Sequence, residues 1–454
     1  MEPFRFHVFV CDQQKPEGVP CCSVRGSAKV IDALRQEILT RRLVDTVQIT
    51  TCGSLGLCEH GPNMIVYPEG TWYSGLTPAD VPEIVQSHFQ NGTPVERLTR
   101  TDVEGVRAEI ITNRDRMMAA RRAREAAGAL PDELNDRIRA FQESRAILTA
   151  LELDIFTTIS DGNRAEAVAA GIGADARATE MLLNALVSMG LLTKQEGLFR
   201  NTPATARYFS SNSPESARTG LLHTAHLWAR WSSLTECVRA GTAVAGPEPA
   251  GRSEDWTEAF IAAMHRNAAE RAPLVVRAVD AAGVRRMVDI GGGSGAYSIA
   301  FASANPGLTA EIVDLASVRS ITERHIQKAG VAGRVSVRVG DLRTDDFGQS
   351  YELAFLSAIC HMLGPDENRD LFRRCHAALT PGGRIAVQDF ILEPDKTSPR
   401  FAALFALNML VGTPAGSSYS VTEYTAWLHD AGFQDIRHVR LPGPTGIMIA
   451  TRRD

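Results

Sequence analysis

The sequence lacks the features that mark several classes of protein. It has no run of about 18 apolar residues, so we expect no transmembrane helix. Residues 1–6 do not lead into the apolar core of a signal peptide. The net charge is only −5, and such a balance does not favour nucleic acid or an anionic membrane as a partner. We therefore expect a cytoplasmic globular protein with reduced thiols.

The sequence also lacks a C-x-x-C pair, although five of its eight cysteines fall within the first 58 residues. Such clustering at one end indicates a separate module with thiolate chemistry. Cys11, Cys22, Cys52 and Cys58 could supply four thiolates to an iron–sulfur cluster. Zinc is the rival metal, but its sites are usually anchored by the missing C-x-x-C pair.

The patterns along the chain divide it into four segments. They are residues 1–98, with alternating strands and helices; 99–130, a charged helical linker; 131–254, helical; and 255–454, with seven recurring strands. The helices of the third segment are apolar enough to suit a subunit interface. The fourth segment predicts a doubly wound α/β sheet. Its last two strands should be antiparallel, because the loop between them is too short for a crossover.

A strand, a glycine turn and a helix follow one another near residue 290. Three glycines stand at alternate positions after the strand, namely Gly291, Gly293 and Gly295. Such a turn lets a nucleotide cofactor lie against bare backbone at a helix N-terminus. Asp289, two residues before the first glycine, could meet an ammonium group. Asp314 ends the next apolar strand, where a carboxylate can accept hydrogen bonds from ribose hydroxyls.

Two cofactors fit this turn. The loose pattern of dinucleotide-binding proteins is satisfied, and so is the Asp-x-Gly-x-Gly-x-Gly pattern of S-adenosylmethionine enzymes. Asp341 and Leu342 follow the third strand. There the acid could accept the adenine amine while the leucine packs against the ring. We favour S-adenosylmethionine and keep a dinucleotide as the rival.

Two further polar residues follow neighbouring strands of the predicted sheet. His361 comes shortly after the strand at 353–356, and Asp389 directly follows the strand at 385–388. Ligands of open α/β sheets bind beyond the carboxyl ends of the strands. The imidazole could take a proton from a substrate hydroxyl, and the carboxylate could orient it. The alternative is a histidine that only caps a helix or packs in a loop.

Residues 131–454 resemble the plant-type small-molecule O-methyltransferases. The segments that carry the resemblance are 182–192, 288–295, 314–315, 340–342, 359–361, 379–383 and 431–433. It implies methyl transfer from S-adenosylmethionine to a small-molecule acceptor, most often at a hydroxyl oxygen, with sulfur and carbon acceptors left open. It also implies a homodimer formed through a helical winged domain, with His361 as general base.

The sequence departs from this family pattern in several places. Asp389 fits the first of two acids that usually flank the base, but the second place falls on Ser418. A lysine often found before the base is replaced by Ser357, which we assign to the cofactor site. A substrate-side histidine is replaced by Asn267. The candidate substrate contacts are Trp256, Phe260, Met264, Asn267, Asn408 and Met409.

A second resemblance covers nearly all of residues 5–98. The segments 7–11, 55–62 and 66–73, together with Cys22, are similar to the thioredoxin-like [2Fe-2S] ferredoxins. The third ligand of that family usually stands four residues before the fourth, at a position that is Ser54 here. We favour Cys52, two residues upstream, which completes the set Cys11, Cys22, Cys52 and Cys58. Oxygen ligation by Ser54 is the alternative.

Together the two resemblances predict a ferredoxin module fused to a methyltransferase. The [2Fe-2S] cluster would serve electron transfer or redox sensing, with a redox partner protein. The rival hypothesis is an electron-transfer protein whose methyltransferase-like half only binds a ligand or partner. The missing second acid favours the rival weakly, whereas the intact cofactor motifs favour an enzyme.

Overall fold

The computed structural model describes residues 3–15, 19–244 and 254–453, without the side chains of 254–260, 262, 263, 266 and 267. The chain divides into two compact units, Met1–Phe141 and Gln142–Asp454. Within the described ranges, none of the helices combines the length and the hydropathy needed to cross a membrane.

The first unit contains a four-stranded sheet. Its strands are β1 (Phe6–Cys11), β2 (Val47–Cys52), β3 (Met64–Tyr67) and β4 (Thr71–Tyr73), in the order β2-β1-β3-β4. Helix α1 (Ser27–Thr40) connects β1 to β2, which pair in parallel, whereas β3 is antiparallel to both β1 and β4. Because α1 buries Val30, Leu34 and Ile38 at helical spacing, it packs one face on the sheet.

The rest of the first unit is helical. Its elements are α2 (Val81–Ile84), which continues as a π-helical turn over Val85–Gln90, α3 (Val103–Ala126) and α4 (Asp132–Arg139). Most side chains of α3 are exposed, as its many charges predict. However, Asn113 Nδ2 donates to the carbonyl of Gly56 at 2.9 Å, and Ile110 lies directly against the same glycine. Helix α3 therefore covers part of the loop that leads to Cys58.

The second unit begins with a helical part. Its elements are α5 (Phe141–Glu152), α6 (Ile155–Ile159), α7 (Ala165–Ile172), α8 (Ala176–Ser188), β5 (Leu192–Gln195), β6 (Leu198–Asn201), α9 (Pro203–Tyr208), α10 (Arg218–Trp231) and α11 (Leu234–Ala240). Strands β5 and β6 form an antiparallel hairpin. Helix α8 ends before the hairpin because Gly190 takes a left-handed conformation, with φ of 71°.

The C-terminal part holds the large sheet. Its elements are α12 (Glu254–Val279), β7 (Arg286–Ile290), α13 (Ala296–Ala304), β8 (Thr309–Asp314), α14 (Ala316–Lys328), β9 (Val335–Val339), β10 (Tyr351–Ser357), α15 (Pro365–Ala378), β11 (Leu379–Asp389), α16 (Arg400–Gly412), α17 (Val421–Asp430), β12 (Phe433–Arg440) and β13 (Gly446–Arg452). The strand order is β12-β13-β11-β10-β7-β8-β9. Strand β13 is antiparallel to both neighbours. The predicted seven-stranded α/β sheet is confirmed.

Alternate residues of the central strands fill two different apolar cores. Ala354 and Leu356 belong to one core, and Leu353 and Phe355 belong to the other. Side chains of a strand point alternately to opposite faces, so helices cover the sheet on both sides. Since β7, β8, β10 and β11 are parallel, their carboxyl ends meet at one edge. The glycine turn, Asp314 and Asp389 are thereby brought to that edge.

Candidate active site and cysteine cluster

The turn after β7 presents bare backbone at the sheet edge. Gly291, Gly293 and Gly295 all have positive φ, from 54° to 76°. A Cβ atom on Gly291 would overlap the side chain of Ile359, so both the conformation and the space there require glycine. Its amide donates to the carbonyl of Val313 at 2.8 Å, which ties the turn to β8.

Asp289 lies next to this turn, and one of its two carboxylate oxygens lacks a hydrogen-bond partner among the described residues. Ser298 Oγ donates to Oδ2 at 2.7 Å. Oδ1 is buried and has no hydrogen-bond partner among the described residues. Removal from water disfavours the charged form and raises the pKa of Asp289 to about 7. A buried, half-satisfied carboxylate of this kind suits a cationic group placed against the turn.

Asp314 and the segment after β9 lie close to the same turn. Asp314 Oδ2 accepts from the amide of Gly293 at 2.7 Å, and burial raises the pKa of this carboxyl. The Asp341 carboxylate accepts from the amide of Arg343 at 2.8 Å. The Leu342 side chain lies next to Gly291. Asp314 and Leu342 are therefore brought to the glycine turn.

Two histidines beside the turn escaped the sequence analysis. His265 Nδ1 lies 2.9 Å from the hydroxyl of Ser294, and its ring stacks on that of His325 with 3.8 Å between centroids. Burial and the neighbouring imidazole lower the pKa of His265 to about 4. Burial also lowers the pKa of His325, so both imidazoles favour the neutral form. No sequence pattern links these two residues, because they stand on α12 and α14.

Ser357, assigned to the cofactor site, belongs to a polar network at the ends of β10 and β11. Its hydroxyl donates to Gln388 Oε1 at 3.1 Å, and Gln388 Nε2 donates to Thr445 Oγ1 at 3.3 Å. The Tyr297 hydroxyl bonds to both Ser357 and Gln388. The network links Tyr297 of α13 to the ends of β10 and β11 through neutral polar groups.

His361 and Asp389 are in direct contact. His361 Nδ1 and Asp389 Oδ1 are 2.7 Å apart, and the backbone amide of His361 donates to Oδ2 at 3.1 Å. Both residues are buried, with 7% and 2% of their surfaces exposed. The rings of Phe405 and His361 are nearly perpendicular, with 4.9 Å between their centroids. The carboxylate therefore fixes both the position and the orientation of the ring.

The surroundings of this pair differ from the sequence expectation of two flanking acids. The hydroxyl of Tyr424, on α17, donates to Asp389 Oδ2 at 3.2 Å. Ser418, at the place of the second acid, is buried, and its hydroxyl has no partner among the described residues. The tyrosine was missed because only tertiary packing brings α17 to the end of β11.

The candidate substrate contacts have different surroundings. Asn408 Oδ1 accepts from Trp231 Nε1 at 3.0 Å, which joins α16 to α10. Met409 is buried on α16, and Met264 is half-buried on α12. Trp256, Phe260 and Asn267 belong to α12, but their side chains lie outside the described residues. Among the described candidates, Asn408 is the one that is hydrogen-bonded to a neighbouring helix.

The N-terminal cysteines lie at one end of the four-stranded sheet. The thiols of Cys11 and Cys22 are hydrogen-bonded to each other, which lowers the pKa of Cys11 to about 6. Asn63 Nδ2 donates to Cys22 Sγ at 3.4 Å. A Cβ atom on Gly61 would stand 2.6 Å from that sulfur, so the loop passes close over it. Both cysteines are fully buried.

Cys58 and Cys52 have other neighbours. Cys58 Sγ accepts from Lys15 Nζ at 3.0 Å and lies 3.2 Å from Ser54 Oγ. Cys52 ends β2, in register with Cys11 on β1, and is partly exposed. In the part of the chain that the structure describes, no three His, Cys, Asp or Glu side chains converge as ligands of a single ion.

Two family models match the chain. An O-methyltransferase dimerisation domain matches residues 136–211, and an O-methyltransferase domain matches residues 231–434. The first match covers helices that precede the glycine turn. The second match contains the glycine turn and the His361–Asp389 pair.

Individual relatives agree with these matches. The 3-hydroxy-5-methyl-1-naphthoate 3-O-methyltransferase of Streptomyces sahachiroi is 31% identical over 334 residues, which cover 71% of this chain and 95% of the relative. The tetracenomycin polyketide synthesis 8-O-methyl transferase of Streptomyces glaucescens is 29% identical over 71% of this chain and 97% of its own length. The structure of human N-acetylserotonin methyltransferase in complex with SAM aligns with a TM-score of 0.63 at 27% identity, covering 71% of this chain and 97% of the human one.

Proposed function

This chain belongs to the O-methyltransferase family and is an S-adenosylmethionine-dependent O-methyltransferase; from that premise we propose that its acceptor is a hydroxyl group on a small aromatic molecule. The dimerisation-domain match supports a homodimer. The family match does not favour the rival hypothesis of a methyltransferase-like half that only binds a ligand or partner.

The residues around the glycine turn fit S-adenosylmethionine, which supplies a methyl group when bound. The partnerless buried oxygen of Asp289 would accept from the ammonium group. Asp314 would accept from the ribose hydroxyls, and Leu342 would pack against the adenine that Asp341 bonds. Two observations support these assignments: the glycines with positive φ expose the backbone of the turn, and Asp314 is bonded to that backbone.

The observation that carries the proposed chemistry is the 2.7 Å contact between His361 Nδ1 and Asp389. Because Nδ1–H donates its hydrogen bond to the carboxylate, the neutral imidazole presents its other nitrogen, Nε2, as the acceptor. His361 would take the acceptor hydroxyl proton at Nε2 as its oxygen attacks the methyl group. Asp389 would hold the imidazole in this tautomer and stabilise the imidazolium that forms.

The His361–Asp389 pair is intact although the second acid of the family pattern is missing. Tyr424 bonds the far oxygen of Asp389, so one carboxylate is oriented by several donors. A phenolic hydroxyl loses its proton more readily than an aliphatic one, with a pKa of about 10 in tyrosine. A single dyad is therefore sufficient for an aromatic acceptor, for which a base supplies roughly 10²–10⁴-fold.

The surroundings of His361 support an aromatic acceptor. Phe390 and Phe405 lie 4.2 Å apart between ring centroids, and both rings lie within 6 Å of the imidazole. Aromatic side chains pack favourably against the faces and edges of other rings. The names of the naphthoate and acetylserotonin relatives describe O-methylation of aromatic compounds, and we extend that class of acceptor to this chain.

The test is methylation by the purified full chain. It is incubated with isotopically labelled S-adenosylmethionine and a panel of hydroxylated naphthoates, hydroxyindoles and aliphatic alcohols of similar size. We expect labelled ethers from members of the aromatic set alone. Transfer to the aliphatic alcohols at equal rates would refute the acceptor class. The His361→Gln variant should bind S-adenosylmethionine as the parent does and turn over far more slowly.

For the first unit we propose a [2Fe-2S] cluster that serves electron transfer or redox sensing. The donor set fits such a group: two buried thiols are paired with each other, and a third has an ammonium group within 3.0 Å. The sheet order, with β3 antiparallel to β1, is compatible with the thioredoxin-like fold of such ferredoxins. When bound, the cluster would supply one-electron chemistry.

The cluster is tested by anaerobic purification of the full chain. We expect two irons and two acid-labile sulfides per chain and visible absorption that bleaches with dithionite. A colourless chain without iron, after anaerobic reconstitution with iron and sulfide, would refute the cluster. Methylation rates measured with the cluster oxidised and reduced would then separate redox sensing, which changes the rate, from electron transfer to a partner protein.

A further inference from the structure

The loop between β2 and Cys58 brings a serine, rather than a cysteine, to the Cys58 sulfur. Ser54 Oγ lies 3.2 Å from Cys58 Sγ. The amide of Gly56 donates to the same hydroxyl at 3.1 Å and holds it in place. Gly56 is itself fixed by its positive φ and by Asn113 of α3. Ser54 and Cys58 thus form a constrained pair of donor atoms.

Cys11 and Cys22 form the second pair. Their thiols are hydrogen-bonded to each other. Asn63 contacts Cys22 and also donates to the carbonyl of Leu57 at 2.7 Å, one residue before Cys58. Cys11 Sγ in turn receives a hydrogen bond from the backbone at Leu55. The loop that carries Ser54 and Cys58 is therefore bonded to the Cys11–Cys22 pair through Asn63 and through the backbone at Leu55.

Cys52 ends β2 next to the first pair. It lies beside Cys11 in the sheet register and is partly exposed, whereas the other three cysteines are buried. Its position at the end of β2 is set by strand pairing with β1, whereas Ser54 is the residue whose side chain contacts Cys58.

A binuclear cluster needs two pairs of protein ligands, one pair for each iron. Two ligands of one tetrahedral metal ion stand roughly 3.5 Å apart when their bonds are about 2.0–2.3 Å long. The Ser54–Cys58 separation of 3.2 Å is close to this value. The thiols of Cys11 and Cys22 are in hydrogen-bond contact. A set of two pairs also explains why no three-ligand group is found among the described residues.

We infer that Ser54, through its oxygen, is the fourth ligand of the proposed [2Fe-2S] cluster, paired with Cys58 on one iron, and that Cys52 is not a ligand. The inference rests on the proposed cluster. Binding requires loss of the hydroxyl proton, as it requires loss of the three thiol protons. An alkoxide is a harder donor than a thiolate and favours the more oxidised iron, so the midpoint potential should be lower than with four thiolates.

The experiment compares four variants of the full chain, purified anaerobically: Ser54→Ala, Ser54→Cys, Cys52→Ser and, as a matched control, Cys21→Ser. Cys21 is buried next to a proposed ligand and is not one itself. Iron and sulfide content, visible spectrum, electron paramagnetic resonance of the reduced state and midpoint potential are measured. Circular dichroism shows whether each variant is folded.

We expect Ser54→Ala to lose most of its iron and sulfide. Ser54→Cys should keep two irons with a changed resonance spectrum and a more positive midpoint potential. Cys52→Ser and Cys21→Ser should match the parent in iron content, resonance spectrum and midpoint potential. Loss of the cluster in folded Cys52→Ser, its retention in Ser54→Ala, or an unchanged spectrum in Ser54→Cys would overturn the ligand assignment alone. A parent chain without iron and sulfide would overturn the cluster itself.

Discussion

The exchange of Asp389 for asparagine tests the proposed chemistry most directly. The carboxylate is buried and accepts four hydrogen bonds: from His361 Nδ1 and amide, at 2.7 and 3.1 Å, from the amide of Phe390 at 2.8 Å, and from Tyr424 at 3.2 Å. Asparagine keeps the shape but has one accepting oxygen and one donating NH₂ group. Since both oxygens of Asp389 face N–H donors, the amide must oppose one of them.

The size of the effect follows from two losses. A hydrogen bond to a charged group contributes roughly 1.5–3 kcal/mol, and the asparagine side chain has no charge with which to stabilise an imidazolium. A buried donor left without an acceptor costs a further 1–3 kcal/mol or so. Part of this cost falls on folding rather than on turnover. A barrier increase of about 3–4 kcal/mol lowers kcat roughly 10²–10³-fold.

The assay measures kcat at saturating S-adenosylmethionine and acceptor, together with the Kd of S-adenosylmethionine by calorimetry. Asp366→Asn is the matched control, because the side chain of Asp366 is 99% exposed on α15. We expect the control to keep the parent kcat. In Asp389→Asn, kcat should fall while Kd stays within twofold, since Asp389 does not belong to the glycine turn.

Two results would refute the reasoning. A kcat within threefold of the parent in Asp389→Asn would mean that the acceptor needs no oriented base. A Kd that weakens by the same factor as kcat falls would mean that Asp389 supports the cofactor site or the fold instead. Thermal unfolding of each variant separates the second case from simple instability.

Three further changes test other parts of the site. Asp314→Ala should weaken S-adenosylmethionine binding at least tenfold in calorimetry with little change in kcat at saturation, because it removes the proposed ribose contact; an unchanged Kd would exclude that contact. The pKa of Asp289 is about 7, and an ammonium group favours its ionised form, so the Kd of S-adenosylmethionine should rise as the pH falls below 7, by up to tenfold per pH unit. Asp289→Asn should remove this pH dependence, and an equally steep profile in the variant would mean that another group titrates. Tyr424→Phe deletes one neutral donor to Asp389 and should lower kcat roughly 2- to 10-fold at constant Kd, whereas no change would show that the other three donors suffice.

The positions of the reactive groups at strand ends could be predicted from local pattern. The run ending in Ile290 and the glycines after it indicated a buried strand, a turn and a helix, and the structure contains β7, the turn and α13 in that order. Asp389 follows the apolar run of β11, and His361 follows β10. Because parallel neighbours end at one edge, the contact between the two residues follows once the strand order is known.

Contacts between distant elements could not be predicted in the same way. Tyr424 reaches Asp389 from a helix 35 residues further along, and Trp231 reaches Asn408 across 177 residues. Neither pair has a spacing that a helix or strand repeat would display. The choice between Cys52 and Ser54 is of the same kind, because both precede Cys58 within six residues and only the path of the loop distinguishes them.

Sequence alone determined the class of fold, the cofactor turn and the identity of the proposed base, since hydrophobic periodicity, glycine conformation and strand ends are local properties of the chain. Tertiary structure decided which side chains complete each site: the tyrosine behind Asp389, the histidine pair beside Ser294 and the partner of Cys58. Those choices depend on how helices and loops pack over the sheet, and packing is set by the shapes of many side chains together.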